Sequence, residues 1–230
     1  MPELTLAELL WSQPRVQRRG PRPRVELTAI VAAAVRIADA EGLDAASMQR
    51  VADALGVTKM ALYRHVPGRG ELVALMIEAA VGSAPVPAGD WRAGLRCWAD
   101  AMREGLTRHR WLAQATVGGR LLGPAELSWF EAGLAALDGL PLSAAQRLDT
   151  LALVSSHVRG MVQQQIAAHP ERTIATLLAG TLEQRADEFP QAAVAFAQTA
   201  ASGGTDNAYE FGLGCIIAGI DALVGQAGGQ

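Results

Sequence analysis

The sequence predicts an all-α fold, in which an N-terminal three-helix helix-turn-helix domain precedes a larger C-terminal helical bundle. Apolar residues recur at helical spacing along most of the 230-residue chain, and glycines and prolines separate these segments. The residues are 50% hydrophobic, and alanine and leucine, which favour helices, are abundant. A chain of this length can bury a substantial core and form two subregions.

The first segment, residues 1–23, is expected to be a flexible, Arg-rich arm. Apolar residues between Leu4 and Trp11 favour one or two helical turns. The stretch "PRVQRRGPRPR" then places five arginines among three prolines, which excludes a regular helix. Such a segment can enter a DNA minor groove, and a disordered solubilising tail is the alternative reading.

Residues 24–82 form the next predicted domain. "VELTAIVAAAVRIADAEG" has an apolar stripe at helical spacing and ends at Gly42. Ser47 is a good N-cap for "MQRVADAL", which ends at Gly56, and Thr58 is placed to cap a third, short helix. "PGRG" breaks the chain before "ELVALMIEAAVG", a linking helix.

The short third helix, "TKMALYRHV", is predicted to bury only Leu62 and Val66. Glycine in the preceding "LGVT" lets the two helices cross steeply, as in a helix-turn-helix. A helix that leaves lysine, tyrosine, arginine and histidine outside suits a DNA major groove, where these side chains reach bases and phosphates. A surface helix with solvated charges is the alternative.

The charge distribution agrees with a DNA-binding front end. Residues 1–70 carry ten Lys/Arg and seven Asp/Glu, a net charge of +3, whereas residues 71–230 carry ten and 16, a net charge of −6. A basic front on an acidic body indicates a polyanionic partner at the front only. Chance clustering of surface charge would give the same sums.

After a linker at 83–90, residues 90–225 are predicted to form a body of successive helices. Their expected ranges are about 91–109, 111–121, 124–140, 143–168, 171–186, 189–201 and 206–225.

The front of the chain resembles the DNA-binding domain of the TetR family of transcriptional regulators. The matching motifs are "ADAEGLDAAS", "VADALGV", "LYRHV" and "EL" at the start of the linking helix, which together cover about 50 residues. The resemblance implies an all-helical homodimer, usually a repressor that a small ligand releases from DNA. "PGRGEL" departs from the family pattern, because Gly70 removes a side chain there, although Arg69 can still meet a phosphate.

The resemblance and the chemistry of the residues together assign the DNA contacts. The candidate DNA-binding residues are Ser47, Met48, Gln49, Arg50, Thr58, Lys59, Met60, Ala61, Tyr63, Arg64, His65 and Arg69.

The resemblance also implies an apolar pocket for a small-molecule effector in the body, and four of the five tryptophans lie there. The candidate ligand-binding residues are Trp98, Met102, Trp111, Trp129, Phe130, His157, Met161 and Gln165. Ordinary core packing of the aromatic residues and a satisfied buried His157 are the alternatives. The last helix, "YEFGLGCIIAGIDAL", resembles the family's dimer helix and would pair with 143–168 in a four-helix bundle.

Other functional classes find little support in the sequence. The chain has no GxGxxG, P-loop, HExxH or CxxC motif, and its four histidines are scattered, so we expect neither an enzyme nor a metal or cofactor. Two distant cysteines and the absence of a signal-peptide pattern favour the cytoplasm, and no apolar run reaches the length of a membrane span. A helical ligand-binding protein that no longer binds DNA, and a transcriptional activator, remain the alternative functions.

Overall fold

The structure is a computed structural model, which describes residues 5–11, 25–167, 178, 181–201 and 207–227. Within these ranges the regular elements are helices, as predicted for an all-α protein, and no strand occurs. The chain divides into two compact units, Met1–Ser155 and Ser156–Gln230.

The first unit begins with the helices of the helix-turn-helix domain and one short helix before them. They are α1 (Leu6–Trp11), α2 (Leu27–Glu41), a 3-10 turn (Leu43–Ala45), α3 (Met48–Leu55), α4 (Lys59–Tyr63) and α5 (Arg69–Val81). Helix α2 packs against α3 and α5, and α3 packs against α4. Their shared core includes Ile30, Val51, Leu62, Val66 and Leu72, all without exposed surface.

The junction between α3 and α4 follows from its capping residues. The Ser47 hydroxyl accepts a hydrogen bond from the Arg50 amide, which begins α3 as predicted. Gly56 ends α3 in the left-handed conformation (φ 64°), and the amides of Gly56 and Val57 bond back to Asp53 and Ala52. This pattern is a Schellman motif, which fixes the direction in which the chain leaves α3.

Thr58 departs from the predicted cap in one respect. Its backbone is extended, as an N-cap requires, but its side chain makes no capping hydrogen bond to α4. The amide of Ala61 bonds to the Thr58 carbonyl instead.

The predicted arm over 1–23 is described at residues 5–11, where the structure has the one or two helical turns that the sequence favours. Residues 6–11 form helix α1, which packs against α5. Leu10 is buried, and the Trp11 indole N–H donates to the Leu122 carbonyl at 3.2 Å. An apolar contact and a tertiary hydrogen bond hold this segment in place. The Arg-rich stretch, for which minor-groove entry and a disordered solubilising tail were the two readings, lies outside the described residues.

The rest of the first unit consists of the first helices of the body. Its helices are α6 (Trp91–Arg108), α7 (Leu112–Ala115), α8 (Pro124–Ala136) and the first half of α9 (Ala144–Ala167). The predicted helix at 111–121 is much shorter than expected, because the backbone leaves the helical conformation at Thr116 (φ −97°, ψ 14°) and Gly118 follows with φ 91°. A chain segment at residues 117–123 therefore connects α7 to α8 without regular structure.

The second unit contains the end of α9, then α10 (Pro190–Ala201) and α11 (Ala208–Ala227). The predicted helix at 171–186 is helical at 178 and 181–184 and a turn at 185–186, whereas 171–177, 179 and 180 lie outside the described residues. A β-carbon on Gly212 would come within 2.3 Å of the His157 ring, so glycine is required for this approach of α11 to α9. Among the described helices, Ala208–Gln226 is long and apolar enough to cross a membrane, and 22% of its apolar window is buried.

Candidate nucleic-acid interface

Helix α4 has the division of faces that the sequence predicted. Leu62, on the helix, and Val66, just after it, have no exposed surface. The opposite face is open, with Met60 69% and Tyr63 38% exposed. Lys59 and Arg64 are also exposed, and Ala61 and His65 are partly exposed. The helix is therefore anchored by two side chains and offers the others to a partner.

Lys59 and Tyr63 interact across one turn of α4. The Lys59 ammonium lies 5.8 Å from the centre of the Tyr63 ring, within the range of a cation–π contact. Such a contact restricts the lysine side chain while its N–H groups remain able to donate. A cation ordered in this way loses less conformational entropy when it meets a phosphate or a base.

Two of the predicted phosphate contacts already have acidic neighbours. Arg50 pairs with Glu41 at 2.6 Å, and Arg69 pairs with Asp44 at 3.0 Å while donating to the Leu43 carbonyl. Both arginines remain about half exposed, so their other N–H groups face solvent. These pairs orient the guanidinium groups and reduce the positive charge that each presents.

Met48 is a correction to the predicted DNA-contacting set. Its side chain is 5% exposed and belongs to the core of the domain, together with Val51 and Ala52. A buried thioether cannot touch a base edge while α3 is folded. Helical spacing agrees with this burial, because Met48 lies three and four residues before the buried Val51 and Ala52, and this periodicity outweighs the position that the family resemblance implies.

The other candidates on α3 lie at the surface. Ser47 is partly exposed, and Gln49 and Thr58 are exposed. The Gln49 amide donates to the Asp53 carboxylate at 2.8 Å, one turn along α3. Apart from Met48, the predicted DNA-contacting residues lie on α4 or next to its ends, at the start of α3 and at the start of α5.

In the first unit, Trp98 and Trp129, which were predicted to line an effector pocket, pack against each other. Trp98 is 3% exposed, and its indole N–H donates to the Trp129 carbonyl at 2.8 Å. The two rings are 6.3 Å apart and tilted by 59°. Met102 is half-buried and Phe130 is 42% exposed, so these two leave apolar surface for a further contact.

Trp111 has a specific polar partner in the reading domain, the name used here for helices α2–α5 (residues 27–81). It is 4% exposed, and its indole N–H donates to the Asp39 carboxylate on α2 at 2.7 Å. His109 Nδ1 bonds to the same oxygen at 2.8 Å. Because a carboxylate accepts, the His109 proton must reside on Nδ1 in this contact. Trp111 thus connects the body to α2.

The predicted ligand-binding residues of the second unit differ in their surroundings. His157 stacks on Tyr209, with ring centres 5.7 Å apart, and its Nε2 donates to the Tyr209 carbonyl at 2.9 Å. This is the satisfied histidine that sequence analysis gave as the alternative to a ligand anchor. Met161 is half-buried, and Gln165 is exposed.

Sequence analysis missed Glu78, which joins α5 to α8. Its two carboxylate oxygens accept from the amides of Ala125 and Glu126, at 2.9 and 3.1 Å. These amides begin α8, whose own N-cap residue, Gly123, has no side chain to cap them. A helix that starts with Gly-Pro was the available signal, since its free amides require an external acceptor.

A second polar cluster lies beside Glu78. Arg120 pairs through two hydrogen bonds with Glu126, which is 9% exposed. The Arg120 Nε–H is buried without a hydrogen-bond partner. The 117–123 segment is therefore tied to the first turn of α8 by an ion pair.

Family models account for most of the chain. Residues 30–76 match the model described as bacterial regulatory proteins, tetR family, and residues 84–224 match the tetracyclin repressor-like C-terminal domain. The first range falls within helices α2–α5, and the second begins before α6 and ends within α11.

Individual relatives agree with the family match. The chain is 38% identical over 163 residues to the HTH-type transcriptional repressor DrrR1 of Streptomyces coeruleorubidus, covering 69% of this chain and 60% of that protein. It is 30% identical over 222 residues to an HTH-type transcriptional regulator of Saccharopolyspora erythraea, covering 94% and 92% of the two.

The structure resembles that of ActR, a TetR family protein of Streptomyces coelicolor, at 29% identity and a TM-score of 0.74. The match to its complex with (S)-DNPA covers 88% of this chain and 99% of ActR. A complex of ActR with actinorhodin gives a TM-score of 0.73 at 28% identity, over 88% and 98% of the two chains. The chain belongs to the TetR family and is a DNA-binding transcriptional regulator with a family-type C-terminal domain.

Proposed function

We propose that the protein is a repressor, which binds a palindromic operator as a homodimer and leaves it when a small, largely hydrophobic ligand binds the body. The observation that carries the DNA-binding part is the face of α4. Lys59, Met60, Tyr63 and Arg64 are exposed on a helix whose anchor, Leu62, is fully buried. Repression is also the activity in the name of the relative DrrR1.

The proposed reading of DNA follows from the side chains. Lys59 and Arg64 donate to guanine edges or phosphates, and Tyr63 and His65 donate to phosphate oxygens. Met60, the most exposed of the large apolar residues on α4, is suited to a thymine methyl group. Arg50 and Arg69, oriented by Glu41 and Asp44, flank the helix and meet the backbone.

The proposed dimer uses the apolar surface of α9 and α11. Phe211 is 72% and Leu223 is 50% exposed on α11, and on α9 Leu148 and Leu153 are about half exposed. Helices with this much open apolar surface are typical of an interface rather than a free monomer. A four-helix bundle between two copies would cover them. A dimer also supplies two recognition helices for half-sites about 34–36 Å apart.

The proposed ligand is a small hydrophobic or aromatic compound. ActR binds (S)-DNPA and actinorhodin according to the two structures above, and the chain shares the whole length of that fold. The Trp98–Trp129 pair with Met102 and Phe130 supplies aromatic and apolar surface that suits such a ligand. The proposed binding of an operator also favours a cytoplasmic location, where the protein has access to DNA.

Selection of binding sites from random double-stranded DNA by the purified protein tests this function. We expect enriched sequences to be inverted repeats with half-sites one helical turn apart, and added actinorhodin serves as the first probe for release. Enrichment of no sequence, or of single half-sites only, would contradict operator binding by a dimer. In a transcription assay with the selected operator placed over a promoter, added protein should lower transcription. A rise in transcription would indicate an activator.

A further inference from the structure

The contacts between the reading domain and the body have a common chemistry. On the reading side, two carboxylates serve as acceptors, Asp39 on α2 and Glu78 on α5. On the body side, each carboxylate meets two N–H donors. We propose that these two carboxylates are positioning residues, which fix the angle of the reading domain on the body and thereby set the half-site spacing that the dimer accepts.

The Asp39 contact secures the end of α6. His109 is the residue that ends this helix, and Trp111 begins the next turn. Both donate to one Asp39 oxygen, and the His109 side chain is 15% exposed. Charge-assisted hydrogen bonds in a partly buried site are directional, so α2 cannot rotate on α6 without breaking them.

The Glu78 contact secures the start of α8. Its carboxylate replaces the capping side chain that Gly123 lacks and faces the positive end of the helix dipole. Further along α8, the Trp129 indole N–H donates to Gly82, the residue that ends α5. Helix α5 is thus bonded to α8 at two levels, and α8 is bonded to α6 through Trp98.

Two contacts at separate points restrict rotation as one contact does not. Asp39 lies on α2, and Glu78 lies near the end of α5, and these two helices pack against each other. In a dimer, the two recognition helices bind DNA as a linked pair, whose affinity depends on how stiffly their separation is held. A stiff joint favours one spacing strongly, whereas a loose joint tolerates several.

This inference rests on the proposed binding of a palindromic operator, and its test separates the two. Operator affinity is measured by fluorescence anisotropy for the selected site and for sites with one base pair added or removed between the half-sites. The variants are Glu78→Gln, which retains size and shape at its contact, and Trp111→Phe, which keeps an aromatic ring but lacks the N–H that donates to Asp39. Glu104→Gln, on the exposed face of α6, is the matched control, because its carboxylate bonds to Arg108 on the same helix.

We expect wild type and Glu104→Gln to prefer the selected spacing strongly. In Glu78→Gln and Trp111→Phe, the ratio of affinities for selected and altered spacing should fall at least about threefold, because a looser joint samples more separations. A merely destabilised protein loses active molecules equally for all sites, so its ratio does not change. An unchanged ratio in both variants overturns the joint, whereas a wild-type protein without any selected site overturns the proposed function itself.

Discussion

Replacing Gly123 by alanine should disrupt the cap that Glu78 places on α8. Gly123 has φ −92° and ψ 178°, an extended conformation that alanine adopts without strain. Its obstacle is space, because a β-carbon there would lie 2.3 Å from Glu78 Cδ and 2.4 Å from Oε1. The carboxylate must therefore move away from the amides of Ala125 and Glu126.

The cost of that movement can be estimated from the interactions lost. A helix N-cap contributes about 1 kcal/mol. A carboxylate at the positive end of a helix dipole adds about 0.3–1 kcal/mol. Alanine is itself a poorer N-cap residue than glycine, by up to about 1 kcal/mol. We expect Gly123→Ala to lower the free energy of unfolding by about 2 kcal/mol, or about 4–8 °C in Tm for a chain of this size.

A double-mutant cycle isolates the part due to Glu78. Thermal and urea unfolding are followed by circular dichroism for Gly123→Ala, Glu78→Ala and the double variant. In the Glu78→Ala background the β-carbon meets no carboxylate, so the cost of Gly123→Ala should fall below about 1 kcal/mol. Gly105→Ala is the control in open helical surroundings and should stabilise α6 by up to about 1 kcal/mol. An equal cost of Gly123→Ala in both backgrounds would refute the capping role of Glu78.

Two further substitutions test the interface and the second unit. Glu41→Gln removes the negative charge beside Arg50 and should raise operator affinity about twofold at low salt, with little change in stability; unaltered affinity would argue that Arg50 does not approach the phosphates. Gly212→Ala forces a β-carbon against the His157 ring and should destabilise the protein by about 1–3 kcal/mol in thermal unfolding, whereas Gly160→Ala meets open space and should not; equal stability of the two would contradict the close approach of α11 to α9.

The helix-turn-helix could be predicted from the sequence because its determinants are local. Ser47, Gly56 and the apolar spacing that buries Leu62 all act within a few residues, so that the chain order reveals them. Met48 shows the limit of transferring positions from a family, since its burial follows from the helical period of this chain.

The contacts between the reading domain and the body could not be predicted, because they join residues that are distant in the sequence. Glu78 meets amides 47 and 48 residues later, and Asp39 meets Trp111 72 residues later. Periodicity assigns a helix face to core or solvent but does not say which carboxylate faces which donor. The same limit applies to the tryptophans. The spacing along α6 indicates that Trp98 is buried, but it cannot identify Trp129 as the residue whose carbonyl accepts from the Trp98 indole N–H.

The most direct test of the account is the salt dependence of operator binding by recognition-helix variants. Anisotropy is measured from low to moderate salt for wild type, Lys59→Ala, Tyr63→Ala and the control Arg108→Ala, whose exposed arginine lies on α6. We expect wild-type affinity to fall steeply with salt, and Lys59→Ala to weaken binding and reduce the slope of log K against log salt by about one. Tyr63→Ala should weaken binding as well, and Arg108→Ala should match wild type. Equal affinity and equal slope in all four proteins would contradict the assignment of α4 as the DNA-reading helix.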